Sequence, residues 1–154
     1  MDDAAARRRI GSALVAGQLA LMAALALLAA PAFLRGAAGP GAWLLALAGA
    51  ALGGWAVSAN RPGNFNVRPT PRAGGVLVQR GPYRWIRHPM YTSVMACGFA
   101  AAWAAASVWG WVAVAALVAV LALKASFEER WMLQAHPEYA DYRLRTRRFL
   151  PWLL

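Results

Sequence analysis

Long uncharged stretches separated by basic ones set the pattern of this chain. Ile10 to Leu34 carries no charged residue, a run of about 25 positions that is enough for one tilted membrane crossing. Arg35 to Gly41, rich in Gly and Pro, reads as a short turn. Ala42 to Ala59 is a second uncharged run, and its small residues, with the Gly49 and Gly53 GxxxG pair among them, permit close approach of a neighbouring helix. Packing within the chain is the reading preferred for that pair over a dimer face. Met90 to Leu123 is again free of charge. At about 34 residues it is too long for one crossing and short for two full ones, so a helical hairpin breaking around Ser107 to Gly110 fits best. The predicted spans are 10–34, 42–59, 89–106 and 109–125, with a polar loop at 60–88 and a tail at 126–154, all in one domain.

Between the second and third spans the pattern changes character. The loop holds Arg61, Arg68, Arg72, Arg80, Arg84 and Arg87 with no acidic residue, Pro62, Pro69 and Pro71 oppose a regular helix, and Gly63, Gly74, Gly75 and Gly81 mark turns. A loop of that length is uncommon in a compact chain unless it has a function; the plainest one would be contact with anionic headgroups. It ends in GPYRWIRHPMY, residues 81–91. His88 precedes a proline and is biased to extended backbone, while Pro89 suits the first position of a helix. Arg87 and His88 therefore stand at a helix mouth whose unpaired N–H groups and dipole favour an anion, and Tyr91 can share a face with His88.

Composition narrows the class. The chain has 154 residues, 60% of them hydrophobic, and a net charge of +10 carried almost wholly by arginine. The arginines fall in blocks beside apolar runs, as the positive-inside bias predicts, and not on a soluble basic face, so nucleic acid is not an expected partner. Arg7-Arg8-Arg9, the 60–88 loop and the tail then share one side, the cytoplasm, leaving Arg35 opposite. The basic start followed by an apolar run resembles a secretory signal, but its hydrophobic part is too long for one. Lys124 lies where its stem could snorkel to the interface, and Trp103, Trp109 and Trp111 would belt the far one. Cys97 is the single cysteine, in an apolar setting that suggests packing. His136 reads as a surface turn residue, and no metal site is expected because no second ligand is spaced near it.

Glu128 and Glu129 stand late in the last long helix, where the dipole favours cations. Something positive must compensate them, and neighbours about 100° apart cannot both point squarely into one site. Loop arginines in a structural network would serve, as would a cationic ligand.

Gly63-Asn64-Phe65-Asn66, the stretch GPYRWIRHPMYTS, Glu128-Glu129 and the tail EYADYRLRTRRFLPWL occur in this order. Together they resemble the isoprenylcysteine carboxyl methyltransferase family of integral-membrane, S-adenosylmethionine-dependent enzymes, over residues 60–154. Ser93 stands where many relatives have glycine. The resemblance implies an all-α integral membrane protein of about four transmembrane helices, its cytoplasmic loop and C-terminal tail closing a cofactor site. By position, Tyr83, Arg84, His88, Pro89, Tyr91, Glu128 and Glu129 would contact S-adenosylmethionine, and Arg87, His88 and Glu128 would carry the catalytic roles. It further implies a bacterial inner-membrane enzyme with a lipophilic small-molecule or prenylated substrate.

The chemistry of these residues agrees. A glutamate suits the cofactor's ammonium, Arg87 or helix-mouth N–H groups its carboxylate, and an aromatic ring among Tyr83, Trp85 and Tyr91 its adenine or sulfonium. A carboxylate acceptor needs no general base; an amine does, and His88 or a glutamate is then the candidate. No glycine-rich dinucleotide fingerprint is present. The acceptor is left open among a prenylcysteine-type carboxylate, a phospholipid amine, an isoprenoid or quinone precursor and a small thiol. Two other readings are a sterol-reductase-like enzyme using NADPH, which offers no ammonium to the acidic pair, and a non-enzymatic four-helix membrane protein, which an acidic residue inside the spans would favour.

Overall fold

A computed structural model describes residues 2–60 and 76–151; the predicted turns and arginines between 61 and 75, with Gly63-Asn64-Phe65-Asn66, lie outside the described residues. Most of the rest is helical: α1 Asp2–Leu34, α2 Pro40–Ala59, a single 3-10 turn Gly81–Arg84, α3 Pro89–Ala105, α4 Val108–Ala135 and α5 Tyr139–Arg145. α1, α2 and α4 are long and apolar enough to cross a membrane. α3, with 17 residues, is one residue shorter than the span expected there and carries no charge. The chain is an all-α integral membrane protein.

The boundaries follow local rules. Proline opens α2 and α3 at their first position, where its missing N–H costs nothing and its fixed φ suits the helix. Between α1 and α2, Gly36 takes a left-handed φ of 68° and the Ala37 and Ala38 amides turn back to the Ala32 carbonyl, closing the first helix at the predicted turn. The α3–α4 hairpin breaks at Ala106, in left-handed backbone, and at Ser107, whose hydroxyl accepts from the Trp109 amide. That is a residue ahead of the predicted break. Helix 4 then continues ten residues past the expected 125, because nothing in Ser126 to Ala135 breaks it.

The core sits where α1, α3 and α4 meet, at Leu25, Ala102, Val114, Leu117 and Leu121. Gly98 and Gly110 allow that contact: a Cβ on Gly110 would stand 3.2 Å from the Ala102 Cα. α2 packs on α3 through small residues. A Cβ on Gly49 would meet the Cys97 sulfur at 2.8 Å and one on Gly53 the Ser93 hydroxyl at 2.6 Å, so the GxxxG pair seats a helix of the same chain. Ser93 adds a hydrogen bond of 2.7 Å to the Gly49 carbonyl. Cys97 packs in the same seam, its thiol 3.8 Å from the Ala46 carbonyl.

The two ends of the bundle differ. Arg7 reaches Gln134 at 3.4 Å and lies over the Trp131 ring, and Arg80 donates to the Ala59 carbonyl at 2.7 Å. The N-terminal basic block, the end of α2, the polar loop and the end of α4 thus share one end. At the other, Trp103, Trp109 and Trp111 are exposed, and Trp103 covers Gly41. One expectation fails. Lys124 does not snorkel: it is 1% exposed, its ammonium bonded to Gln18 of α1 and held 5.1 Å from the Tyr91 ring centre. Gln18, a half-buried partner on α1, takes the ammonium before it can reach the interface.

Candidate functional site

The helix mouth predicted at Arg87 and His88 forms with a partner that local pattern did not reveal. His88 caps α3 in non-helical backbone and Pro89 follows, buried, as the first helical residue. The segment before it pairs with the tail as a short parallel bridge: the Arg87 amide donates to the Arg147 carbonyl at 2.8 Å, that of His88 to Arg148 at 3.1 Å, and that of Arg147 to Trp85 at 2.9 Å. Side chains reinforce it. Thr92 donates to the Phe149 carbonyl at 2.8 Å, and the buried Tyr142 donates to the Tyr83 carbonyl at 2.7 Å. The tail is therefore a wall of the site.

Glu129 is the hub. Its side chain is 4% exposed and takes Arg87 Nε at 2.9 Å, Arg148 Nη2 at 3.0 Å and His88 Nε2 at 3.2 Å, with Arg143 Nε at 3.9 Å. Three cationic or donor groups at hydrogen-bond distance satisfy a buried carboxylate that would otherwise be costly. Arg87 also donates through Nη1 to the Thr146 and Arg143 carbonyls, which end α5. One charge thus ties the loop, α4 and the tail together.

Glu128 has a different surrounding. Its side chain is 33% exposed, accepts one hydrogen bond of 2.8 Å from the Tyr91 hydroxyl, and stands 3.8 Å from His88 Nδ1. The His88 ring stacks parallel on Tyr91 with centres 5.2 Å apart, and Phe149 tilts against it at 5.9 Å. Nε2 faces the Glu129 carboxylate and Nδ1 lies on the Glu128 side, so the two ring nitrogens are directed at different carboxylates. Tyr83 is half-buried nearby; burial first, and the Glu128 charge second, push its phenol up to about 12, so it remains a neutral donor. Burial likewise raises Tyr139 and Tyr142.

Of the expected site residues, Arg87, His88, Tyr91, Glu128 and Glu129 are in mutual contact, Tyr83 lies beside them and Pro89 positions them. Arg84 is not brought in: it is exposed and lies over the Trp85 ring at 5.1 Å. Ser93 and Lys124 are one step removed, the first in the α2–α3 seam and the second under Tyr91. Sequence reasoning gave no separate role to Arg148, Thr146, Tyr142 or Phe149. The signal was present, since all four lie in the tail stretch that carries the resemblance. His136 caps the end of α4 and faces Glu138 at 3.4 Å, away from the cluster, as a turn residue does.

No curated protein and no solved structure matches the chain. A family model described as phospholipid methyltransferase matches residues 43–138. That range covers most of α2, all of α3 and α4, the Arg87-His88-Pro89 mouth and both glutamates, and it spans more than half of the sequence: the chain belongs to the phospholipid methyltransferase family of membrane enzymes.

Proposed function

We propose that this protein transfers a methyl group from S-adenosylmethionine to a lipid acceptor, at a site on the cytoplasmic face of the membrane. The observation that carries this reading is the unequal environment of the two glutamates. Glu129 is saturated by Arg87, Arg148 and His88, whereas Glu128 keeps a third of its side chain open and only one short hydrogen bond. An accessible carboxylate framed by Tyr91, Tyr83 and His88 suits a ligand that is cationic at one end and aromatic at the other. Glu128 then receives the cofactor's ammonium, Tyr91 orients Glu128, and Glu129 holds Arg87 and His88 in place. Bound there, S-adenosylmethionine supplies an already activated methyl group, so positioning and exclusion of water provide most of the catalysis.

The family match supports a phospholipid amine as acceptor. An amine must be deprotonated before it attacks, and His88, through Nδ1 aimed away from Glu129, is the base the site offers. The tail stretch supports the second reading, a prenylcysteine-type carboxylate. That acceptor needs no base, and His88 would then only position. Calorimetry on the purified protein in detergent is expected to show binding of S-adenosylmethionine and S-adenosylhomocysteine and none of NADPH. Heat from NADPH without response to either sulfur compound would overturn the assignment in favour of a reductase. Mass spectrometry of lipid extracts from expressing and non-expressing cells then identifies the acceptor by its methyl increment.

A further inference from the structure

Between the end of α4 and α5 lies a groove of about 510 Å³, lined among others by Arg87, Arg143, Arg147, Leu133, Leu144 and Thr146. Neither glutamate of the site lines it. No acidic residue lines it among the described residues. Arg87 forms its inner end with one edge already committed to Glu129 and to the carbonyls ending α5. Arg143 and Arg147 are exposed. Arg143 has only the distant approach to Glu129, an oxygen of which already takes Arg148 at 3.0 Å, and the Arg147 guanidinium makes no hydrogen bond among the described residues. The groove therefore presents one guanidinium without a partner among the described residues, Arg147, and one held only at 3.9 Å from Glu129, Arg143, beside a third.

Its walls are not those of a site for a soluble anion. Leu144 is 80% exposed and Leu133 40% exposed, which is unfavourable in water but not beside lipid. The level in the membrane is set by α1. Gln134, next to Leu133, bonds Arg7 of the N-terminal basic block, and such blocks mark the headgroup region on the positive side. Arginine pairs take phosphate oxygens in a planar two-pronged geometry.

We infer that this groove binds the phosphate of an anionic phospholipid of the surrounding leaflet, with Arg143 and Arg147 on the headgroup and Leu133 and Leu144 against the upper part of its chains. The groove meets the Glu128 site only at Arg87 and does not depend on which molecule accepts the methyl group.

The test uses the full chain in detergent. Its melting temperature is followed with short-chain phosphatidylglycerol, with phosphatidylcholine of the same chain length, with inorganic phosphate and with S-adenosylhomocysteine. Phosphatidylglycerol is expected to raise it by selective binding to the folded state, while phosphatidylcholine and phosphate do so little. In the R143Q/R147Q double variant the apparent affinity for phosphatidylglycerol should fall roughly tenfold or more, with the response to S-adenosylhomocysteine retained as evidence of an intact site. If the double variant melts without cooperativity, R147Q alone gives the same reading, since that side chain has no partner to lose. An undiminished phosphatidylglycerol response in the variants overturns the proposal. So does an equal response of the parent protein to phosphatidylcholine or to phosphate. Loss of the S-adenosylhomocysteine response alone would also overturn it, assigning the groove to the cofactor.

Discussion

Replacing Glu129 by Gln removes the charge that Arg87, Arg148 and His88 share while keeping the shape of the side chain, so the loss should appear as stability. It should stay below the roughly 3–5 kcal/mol of a fully buried pair, because Arg148 is partly exposed and the amide retains some hydrogen bonds. E128Q removes an accessible carboxylate with one short bond and should leave melting nearly unchanged. It should weaken S-adenosylhomocysteine binding by about 1.5–3 kcal/mol, tenfold or more. Melting without ligand and a titration for each variant decide it, and the opposite pairing of effects would exchange the two roles. The resemblance brought both glutamates to Arg87, His88 and Tyr91, and helix geometry added that neighbours diverge. It could not say which one turns inward, because that is decided by Arg148 on the tail, 19 residues further on. Lys124 was misread for the same reason. At the edge of an apolar run a lysine looks free to reach the interface, and only Gln18, 106 positions away, shows otherwise.

At the scale of elements, the α2–α3 seam depends on two side chains being absent. An alanine at Gly49 gains about 1 kcal/mol of helix propensity. It also meets the Ser93 carbonyl at 3.1 Å and the Cys97 sulfur at 2.8 Å, and since one of these is backbone, α3 itself must move, at a cost typically of about 1–3 kcal/mol. The balance is a net loss. Gly54 on the same helix has nothing within 4 Å of such a Cβ, so G54A should leave the melting temperature level or raise it. Equal melting of the two variants would mean that the seam is not close-packed. Pro40, read as part of the turn, opens α2 two residues ahead of the expected Ala42, whereas the long helices and the proline-led start of α3 were legible because apolar runs and proline chemistry are local. α5 was not: seven residues are too few for periodicity to register, and its order comes from burying Tyr139 and Tyr142 against the loop.

For the whole molecule, the arrangement of arginines and the shared end of α1, the loop and α4 make one prediction about sidedness. A reporter inserted in the turn at Gly39 and one fused behind the tail should lie on opposite sides of the membrane, the tail inside. Reporters on the same side would require an odd number of crossings between them to be abandoned, with α3 as the helix that does not cross.

The parallel bridge between Ile86 and Arg147 joins segments that are synthesised far apart in time. Arg87 and Glu129 are separated by 42 residues, and Arg148 follows later still, after all four long helices have been made. Closing the site thus requires contacts that no single helix or hairpin contains, and such non-local contacts are expected to form after the local helices. A chain shortened before Arg147 would keep all four long helices and yet leave Glu129 without Arg148 and the mouth at Arg87 unclosed.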